Sequence, residues 1–289
     1  MNDLTLDAQI RCTIRSCGQH AKHLAAQHFE VSEKGPDDFV TSVDHALDRE
    51  LTHQFTTLFP QDCIISEENP ASRQYFQKDA RLWCIDPLDG TKDFIRGDRN
   101  YAVLIGLLEK ERPAEGWIYA PEYDVMYHGN REVGFWRTQG DAPPELLQPM
   151  ARSEEASGSA SPSDKPRVII GDIDLKNFGS ILSQAIPEIE FVHSPGSFGL
   201  KAINVALGQA DVYVYFNKRV KVWDTVASIA LAHAAGLVCC DIEGQPISYA
   251  PDQINLETLA HQQSIVIGWA SYVESLLPRM RSAMWSAAA

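Results

Sequence analysis

Positive charge is what this sequence has least of. Lys and Arg number 25 against 39 Asp and Glu, a formal net charge of −14 over 289 residues. That balance argues against nucleic-acid polymers and anionic membranes as partners. An anionic ligand would have to approach through metal ions or a local basic patch. Long apolar runs are missing too, and Met1-Asn2-Asp3-Leu4 carries no basic region of the secretory type. No membrane span and no secretory signal are therefore expected. The six cysteines (Cys12, Cys17, Cys63, Cys84, Cys239, Cys240) show no C-x-x-C spacing, and most lie in apolar runs. Reduced, buried thiols in a cytoplasmic protein are the expectation. What is present is an ordinary globular composition, 44% hydrophobic and 22% charged, long enough for one large domain or two lobes.

Apolar residues at Ile10, Ile14, Cys17, Ala21, Leu24 and Ala25 recur at helical spacing, predicting an amphipathic helix over 5–29. His20, His23 and His28 lie in or near it without a carboxylate or cysteine at ligand spacing, and read as surface or satisfied imidazoles. Gly35-Pro36-Asp37-Asp38 breaks the chain, and Phe39-Val40-Thr41 is a short extended piece. Thr41 or Ser42 then caps a helix whose apolar face is Val43, Leu47, Leu51, Phe55 and Leu58. Asp44 falls in its first turn, where the helix dipole favours a carboxylate. Cys63-Ile64-Ile65 reads as a strand running into Ser66-Glu67-Glu68; continued, it turns the two acids to opposite sides. Antiparallel strands are predicted over 102–108, 115–119 and 124–127.

The composition shifts to Pro, Ser, Glu, Ala and Gly from Thr138 to Pro166, and Ser153–Ser163 has nothing to bury. This divides the chain into an α+β lobe at 1–140, a linker at 141–166 and an α/β lobe at 167–289. In the last, strands and helices alternate, which implies helices covering a sheet.

The densest chemistry sits in Trp83-Cys84-Ile85-Asp86-Pro87-Leu88-Asp89-Gly90-Thr91-Lys92-Asp93-Phe94. A buried strand ends on Asp86, Gly90 permits a turn at positive φ, and Thr91 opens a short helix. Two carboxylates and a hydroxyl thus meet at a helix start. Carboxylates that close repel unless cations sit between them, and helix-start N–H groups seat anions. Cations and an anion in one place suggest phosphoryl chemistry. Asp-Pro and Asp-Gly are also ordinary turn dipeptides. An EF-hand calcium loop from Asp86 fails: Leu88, Gly90 and Gly97 stand where it needs polar ligands and Glu. A haloacid-dehalogenase-type phosphatase has its second Asp two residues on, whereas Asp89 comes three residues after Asp86, and this remains a remote alternative. Downstream, Trp223-Asp224-Thr225 begins a helix, and His193-Ser194-Pro195-Gly196-Ser197 precedes another that carries Lys201. Lys218, Arg219 and Lys221 form the densest basic run.

Taken together, Asp44, Ser66-Glu67-Glu68, Asp86 to Thr91, and Trp223-Asp224 resemble, in order and interval, the inositol monophosphatase family of magnesium-dependent, lithium-sensitive phosphatases. The resemblance covers nearly the whole chain. It implies a layered αβαβα sandwich within the α/β class. Leu88, Lys92, Phe94, Ile118 to Pro121 and Gly208 to Tyr213 look most like the bacterial 3′(2′),5′-bisphosphate nucleotidases, which implies a place in sulfur metabolism. The departures are Phe198, where many of these have Ser, and Tyr215, where they carry Arg. Asn217 stands where inositol phosphatases place an acid. An inositol monophosphatase or another small sugar-phosphate phosphatase of the family is the alternative, and a catalytically inactive nucleotide- or metal-binding module a remote one.

The resemblance implies that Glu67, Asp86, Asp89, Asp224 and the Leu88 carbonyl hold two or three Mg²⁺ ions. It implies that Asp44 and Thr91 orient a metal-activated water for direct attack without a phosphoenzyme. It places the phosphate on the Gly90 and Thr91 N–H groups and the leaving alcohol near Gly196, Ser197 and Lys201. Expected partners are small phosphorylated molecules, a nucleotide or a sugar or inositol phosphate, acted on by a monomer or homodimer.

Overall fold

The computed structural model describes residues 3–77, 81–149, 165–194 and 196–288. Helix α1, Asp3–Ala25, buries Ile10, Ile14, Cys17 and Ala21, the stripe its spacing predicts. It stops before the predicted end at 29, where a hairpin follows, β1 (Val31–Gly35) and β2 (Asp38–Thr41). Thr41 then caps α2 (Ser42–Leu58), its side chain accepting from the N–H groups of Val43 and Asp44. The Asp44 carboxylate returns the bond to the Thr41 N–H at 2.9 Å, closing a capping box.

Among the described residues seven strands make the larger sheet, in chain order: β3 (Cys63–Ser66), β4 (Leu82–Asp89), β5 (Ala102–Glu109), β6 (Arg112–Ala120), β7 (Val125–Asn130), β8 (Gly134–Gln139) and β9 (Glu145–Leu146). β3 and β4 run parallel, and the rest pair antiparallel. The smaller sheet has the order β11 (Glu190–Val192), β10 (Arg167–Ile170), β12 (Val212–Tyr215), β14 (Ile265–Gly268), β13 (Val238–Cys240). β10 is parallel to β11 and β12, while β14 is antiparallel to β12 and β13.

The apolar side chains sort into three cores. One lies between α1, α2 and the large sheet, around Leu47, Phe55, Trp83, Ile105 and Trp117. The middle one joins both sheets to α5 (Phe198–Ala206) and α6 (Val222–Ala234), around Ile118, Ala202, Tyr213 and Val226. The outer one holds α4 (Asp172–Ala185) and α7 (Ala270–Ala288) on the small sheet through Leu182, Val214, Val273 and Met280. Helices, sheet, helices, sheet, helices: the layers are αβαβα. α6 is apolar nearly all round, as a helix between two sheets must be. It sits directly on the large sheet. A Cβ on Gly106 would lie 2.5 Å from the Ala227 nitrogen, and one on Gly116 2.5 Å from the Ala227 oxygen.

The linker predicted at 141–166 lies mostly outside the described residues, and β9 falls in its described part. No helix among the described residues is long and apolar enough to cross a membrane.

Candidate active site

β4 does not end at Asp86. It continues to Asp89 with a register irregularity between the two, because Pro87 has no N–H for the ladder. The irregularity turns both acids towards one place, and the Leu88 N–H donates to Asp86 at 2.9 Å. Gly90, not Thr91, is the residue before the helix α3 (Thr91–Arg96), and it adopts φ 96°. A side chain there would be strained and would press within 2.9 Å of the Asn100 carbonyl. Thr91 is thus freed from capping. Its hydroxyl lies 3.0 Å from Asp44 and 3.0 Å from the Leu88 carbonyl, with one proton to give to either.

Asp224 arrives from the other side of the middle layer, in the first turn of α6, accepting from the Lys221 N–H at 2.6 Å. Carboxylate oxygens of Asp86, Asp89 and Asp224 all lie within 4.8 Å of one another. Burial pushes the Asp86 carboxyl well up, and the charges of Glu67, Asp89 and Asp224 add to this. Burial also raises Asp89, against the hydrogen bonds it accepts. Asp224 is pushed up to about 8 by burial and then by Asp89 and Glu67. Three such groups resist ionising together without a counter-charge.

Glu67 stands beside this trio but outside it. β3 ends at Ser66, so the alternation expected of Glu67 and Glu68 is not realised. Both acids reach Lys34 of the hairpin, at 2.7 and 2.9 Å. Glu68 is the more buried, its carboxyl raised to about 7 by burial and by Glu67. Lys34 was not singled out in the sequence: Val31–Gly35 is almost wholly exposed and lacks alternation, so β1 has no apolar signature. Asp44 is buried, and burial raises its carboxyl despite the bonds from Thr41 and Thr91.

Ser197 differs most from expectation. It is fully buried at the start of α5, with its hydroxyl donated to Asp89 and its N–H to the Asn100 carbonyl at 2.9 Å. The N–H groups of Phe198 and Gly199 also go to Asp89, at 3.1 and 2.9 Å. The anion seated on this helix start is therefore Asp89, and Ser197 serves to hold it. Gly196, at φ 78°, lets the loop pass Asn100, whose carbonyl would be 1.9 Å from a Cβ. The buried Lys201 donates to the Gly196 carbonyl, and burial lowers its ammonium.

Comparison with known proteins bears on this arrangement. Residues 5–274 match the model of the inositol monophosphatase family. The chain belongs to that family. The 3′(2′),5′-bisphosphate nucleotidase CysQ of Escherichia coli O157:H7 is 32% identical over 232 residues, 78% of this chain and 85% of that one. Inositol-1-monophosphatase of Bacillus subtilis is 25% identical over 237 residues, covering 82% and 85%. The solved Thermotoga maritima IMPase superposes with a TM-score of 0.75 at 20% identity, covering 98% of each chain. As a member of the inositol monophosphatase family, the protein is a metal-dependent phosphoric monoester hydrolase. Enzymes of the family use Mg²⁺, and the donor set here suits it. The three clustered donors are hard carboxylate oxygens, buried and mutually repulsive, with no His or Cys among them.

Proposed function

We propose that the chain is a 3′(2′),5′-bisphosphate nucleotidase, converting adenosine 3′,5′-bisphosphate to AMP and phosphate. The cluster of Asp86, Asp89 and Asp224 supports phosphomonoester hydrolysis, and the CysQ relative supports the substrate. Asp86, Asp89, Asp224, Glu67 and the Leu88 carbonyl would hold two or three Mg²⁺ ions. Bound there, Mg²⁺ offsets phosphate charge and acidifies water.

The protein's own groups do the rest. Asp89 is fixed by the Ser197 hydroxyl and two N–H groups of α5, and Asp224 by the Lys221 N–H. The Thr91 oxygen accepts a proton from the attacking water while its own hydroxyl proton goes to Asp44. Burial makes the Asp44 carboxylate a better proton acceptor, and the capping box keeps it in place. The water oxygen bonds to phosphorus as the ester oxygen leaves on the opposite side and takes a proton from solvent water, and no side chain is phosphorylated. Gly90 lets the phosphate approach the backbone. The protein acts as a monomer or homodimer in the cytoplasm, and lithium inhibits it.

The test is a panel of adenosine 3′,5′-bisphosphate, inositol 1-phosphate and fructose 1,6-bisphosphate, with Mg²⁺ or EDTA and with or without Li⁺. The reading expects the highest kcat/KM on the nucleotide, none in EDTA, and loss with Li⁺. A higher kcat/KM on inositol 1-phosphate would displace it in favour of inositol phosphate hydrolysis. A trapped phosphoenzyme would remove the direct-attack mechanism.

A further inference from the structure

Asp48 takes no part in the chemistry above, yet it stands beside it. It lies on α2 four residues after Asp44, so the two acids share one face of the helix, a turn apart. Both are buried, Asp44 to 1% exposure and Asp48 to 9%. Like charges at this spacing repel and weaken a helix, and a buried carboxylate gives up water at a cost. An acid at 48 therefore opposes the stability of α2. Its use lies in what it holds.

The Asp48 carboxylate accepts from two hydroxyls. One belongs to Thr52, on the next turn of α2, at 3.3 Å. The other belongs to Ser66, on a different element. Ser66 is the last residue of β3, 1% exposed, and the next residue in the chain is Glu67. A hydroxyl given to a carboxylate makes a stronger bond than one given to a neutral oxygen. The rest of the strand end is stitched as well. The Ser66 N–H donates to the Ser72 hydroxyl at 3.1 Å, and that hydroxyl donates to the Asn69 carbonyl at 2.6 Å. The Glu67 N–H donates at 3.1 Å to the carbonyl of Ile85, the residue before Asp86.

The main chain of Glu67 is thus pinned on two sides, by β4 and, through Ser66, by Asp48. The Glu67 side chain keeps 24% exposure, so its aim depends on the main chain beneath it. α2 becomes a ruler between two parts of the site. Asp44 lies 3.0 Å from the Thr91 hydroxyl, and one turn on Asp48 holds the residue before Glu67. Leu47, Leu51 and Phe55, each fully buried, fix the helix itself against the large sheet.

We propose that Asp48 is a positioning residue for Mg²⁺: through the Ser66 hydroxyl it fixes the main chain of Glu67 and so tightens binding of the ion that Glu67 holds. This rests on the reading of Glu67 as a ligand. Groups that hold a metal's ligands in place are worth roughly 10- to 100-fold in affinity. Asp48 acts through the adjoining residue, so the lower end applies.

In the experiment Mg²⁺ is titrated calorimetrically into the EDTA-treated, dialysed full chain, with melting curves and circular dichroism for each variant. Asp48→Ala and Ser66→Ala are each expected to weaken Mg²⁺ binding roughly 10-fold. Asp48→Asn, which still offers an oxygen to Ser66, should recover most of it. The double variant Asp48→Ala/Ser66→Ala should be no weaker than either single one, since the same bond is lost in all three. In a Glu67→Gln background, Asp48→Ala should cause no further loss. With Mg²⁺ saturating, kcat and KM of Asp48→Ala should stay within about twofold of wild type, which separates a metal defect from a turnover defect. Wild-type Mg²⁺ affinity in Asp48→Ala, with only a lower Tm, overturns the proposal. A full further loss in the Glu67→Gln background overturns it too. In both cases a loss by Glu67→Gln alone keeps Glu67 as a ligand. Wild-type affinity in Glu67→Gln removes the ligand reading and the proposal together. Should Asp48→Ala not fold, Ser66→Ala, which leaves the acid in place, tests the same bond.

Discussion

Raising the pH of the metal-free protein from 7 to 8 should destabilise it, and Mg²⁺ should remove that effect. The sign follows from the buried acids. An ordinary Asp titrates near 3.8, whereas Asp224 in the fold is held up to about 8 and Asp86 well above its usual range. Over this window the folded chain keeps protons that the unfolded chain has lost, so each rise in pH favours unfolding. Each retained proton costs about 1.4 kcal/mol per pH unit. The histidines and the raised glutamates act mainly outside the window. His128, His233 and His261, lowered to about 4, 4 and 3, stabilise the fold as pH rises only below their ordinary 6.5. Glu68 and Glu115, raised to about 7, contribute mainly below that value. With Asp224 titrating at about 8 within the window, its share of the loss is about 1 kcal/mol. At about 2 °C per kcal/mol for a chain of this length, Tm falls by roughly 2 °C. The assay is calorimetry or dye-monitored melting of EDTA-treated protein at both pH values, repeated with saturating Mg²⁺. The stabilisation by Mg²⁺ should be larger at pH 8 by that amount, and Asp224→Asn should shrink the difference. An equal Mg²⁺ increment at pH 7 and 8, or a full wild-type slope in Asp224→Asn, would refute the coupling of this acid cluster to the cation.

Three further outcomes follow from the site and its support. Asp89→Asn and Asp224→Asn should each lower kcat roughly 10³-fold or more while circular dichroism stays native; substantial turnover by either would separate that side chain from the metal. Thr91→Ala should lower kcat by roughly 10²–10⁴-fold with KM little changed, and Thr91→Ser should recover most of it, measured by steady-state phosphate release. Gly106→Ala should destabilise the fold by about 1–3 kcal/mol in urea unfolding, since the new methyl meets the Ala227 backbone.

The acid cluster was legible because its members sit where strands end and helices begin, and turn chemistry marks such places plainly. Pro87, Gly90 and the Thr41 cap each have a conformational signature that survives without tertiary information. Ser197 did not read correctly for the same reason inverted. A serine before a helix looks the same whether its hydroxyl faces water or a buried carboxylate, and only the approach of β4 decides it. Lys34 was invisible because its strand, β1, is exposed along nearly its whole length and its partners lie a helix away. β8 was missed altogether, its polar and aromatic residues alternating too weakly to be read without β7 beside it.

The bare contact of Gly106 and Gly116 with the Ala227 backbone makes α6 a keel laid straight onto the larger sheet. Main chain meets main chain where α6 crosses β5 and β6, and β5 is hydrogen-bonded to β4, the strand that carries Asp86 and Asp89. The place of Asp224 is therefore tied to that of the other two acids through the neighbouring strand. Diversification of such a scaffold is steered outward, to the rim loops that meet the rest of the substrate. The reacting end of the molecule stays the same while its clientele changes.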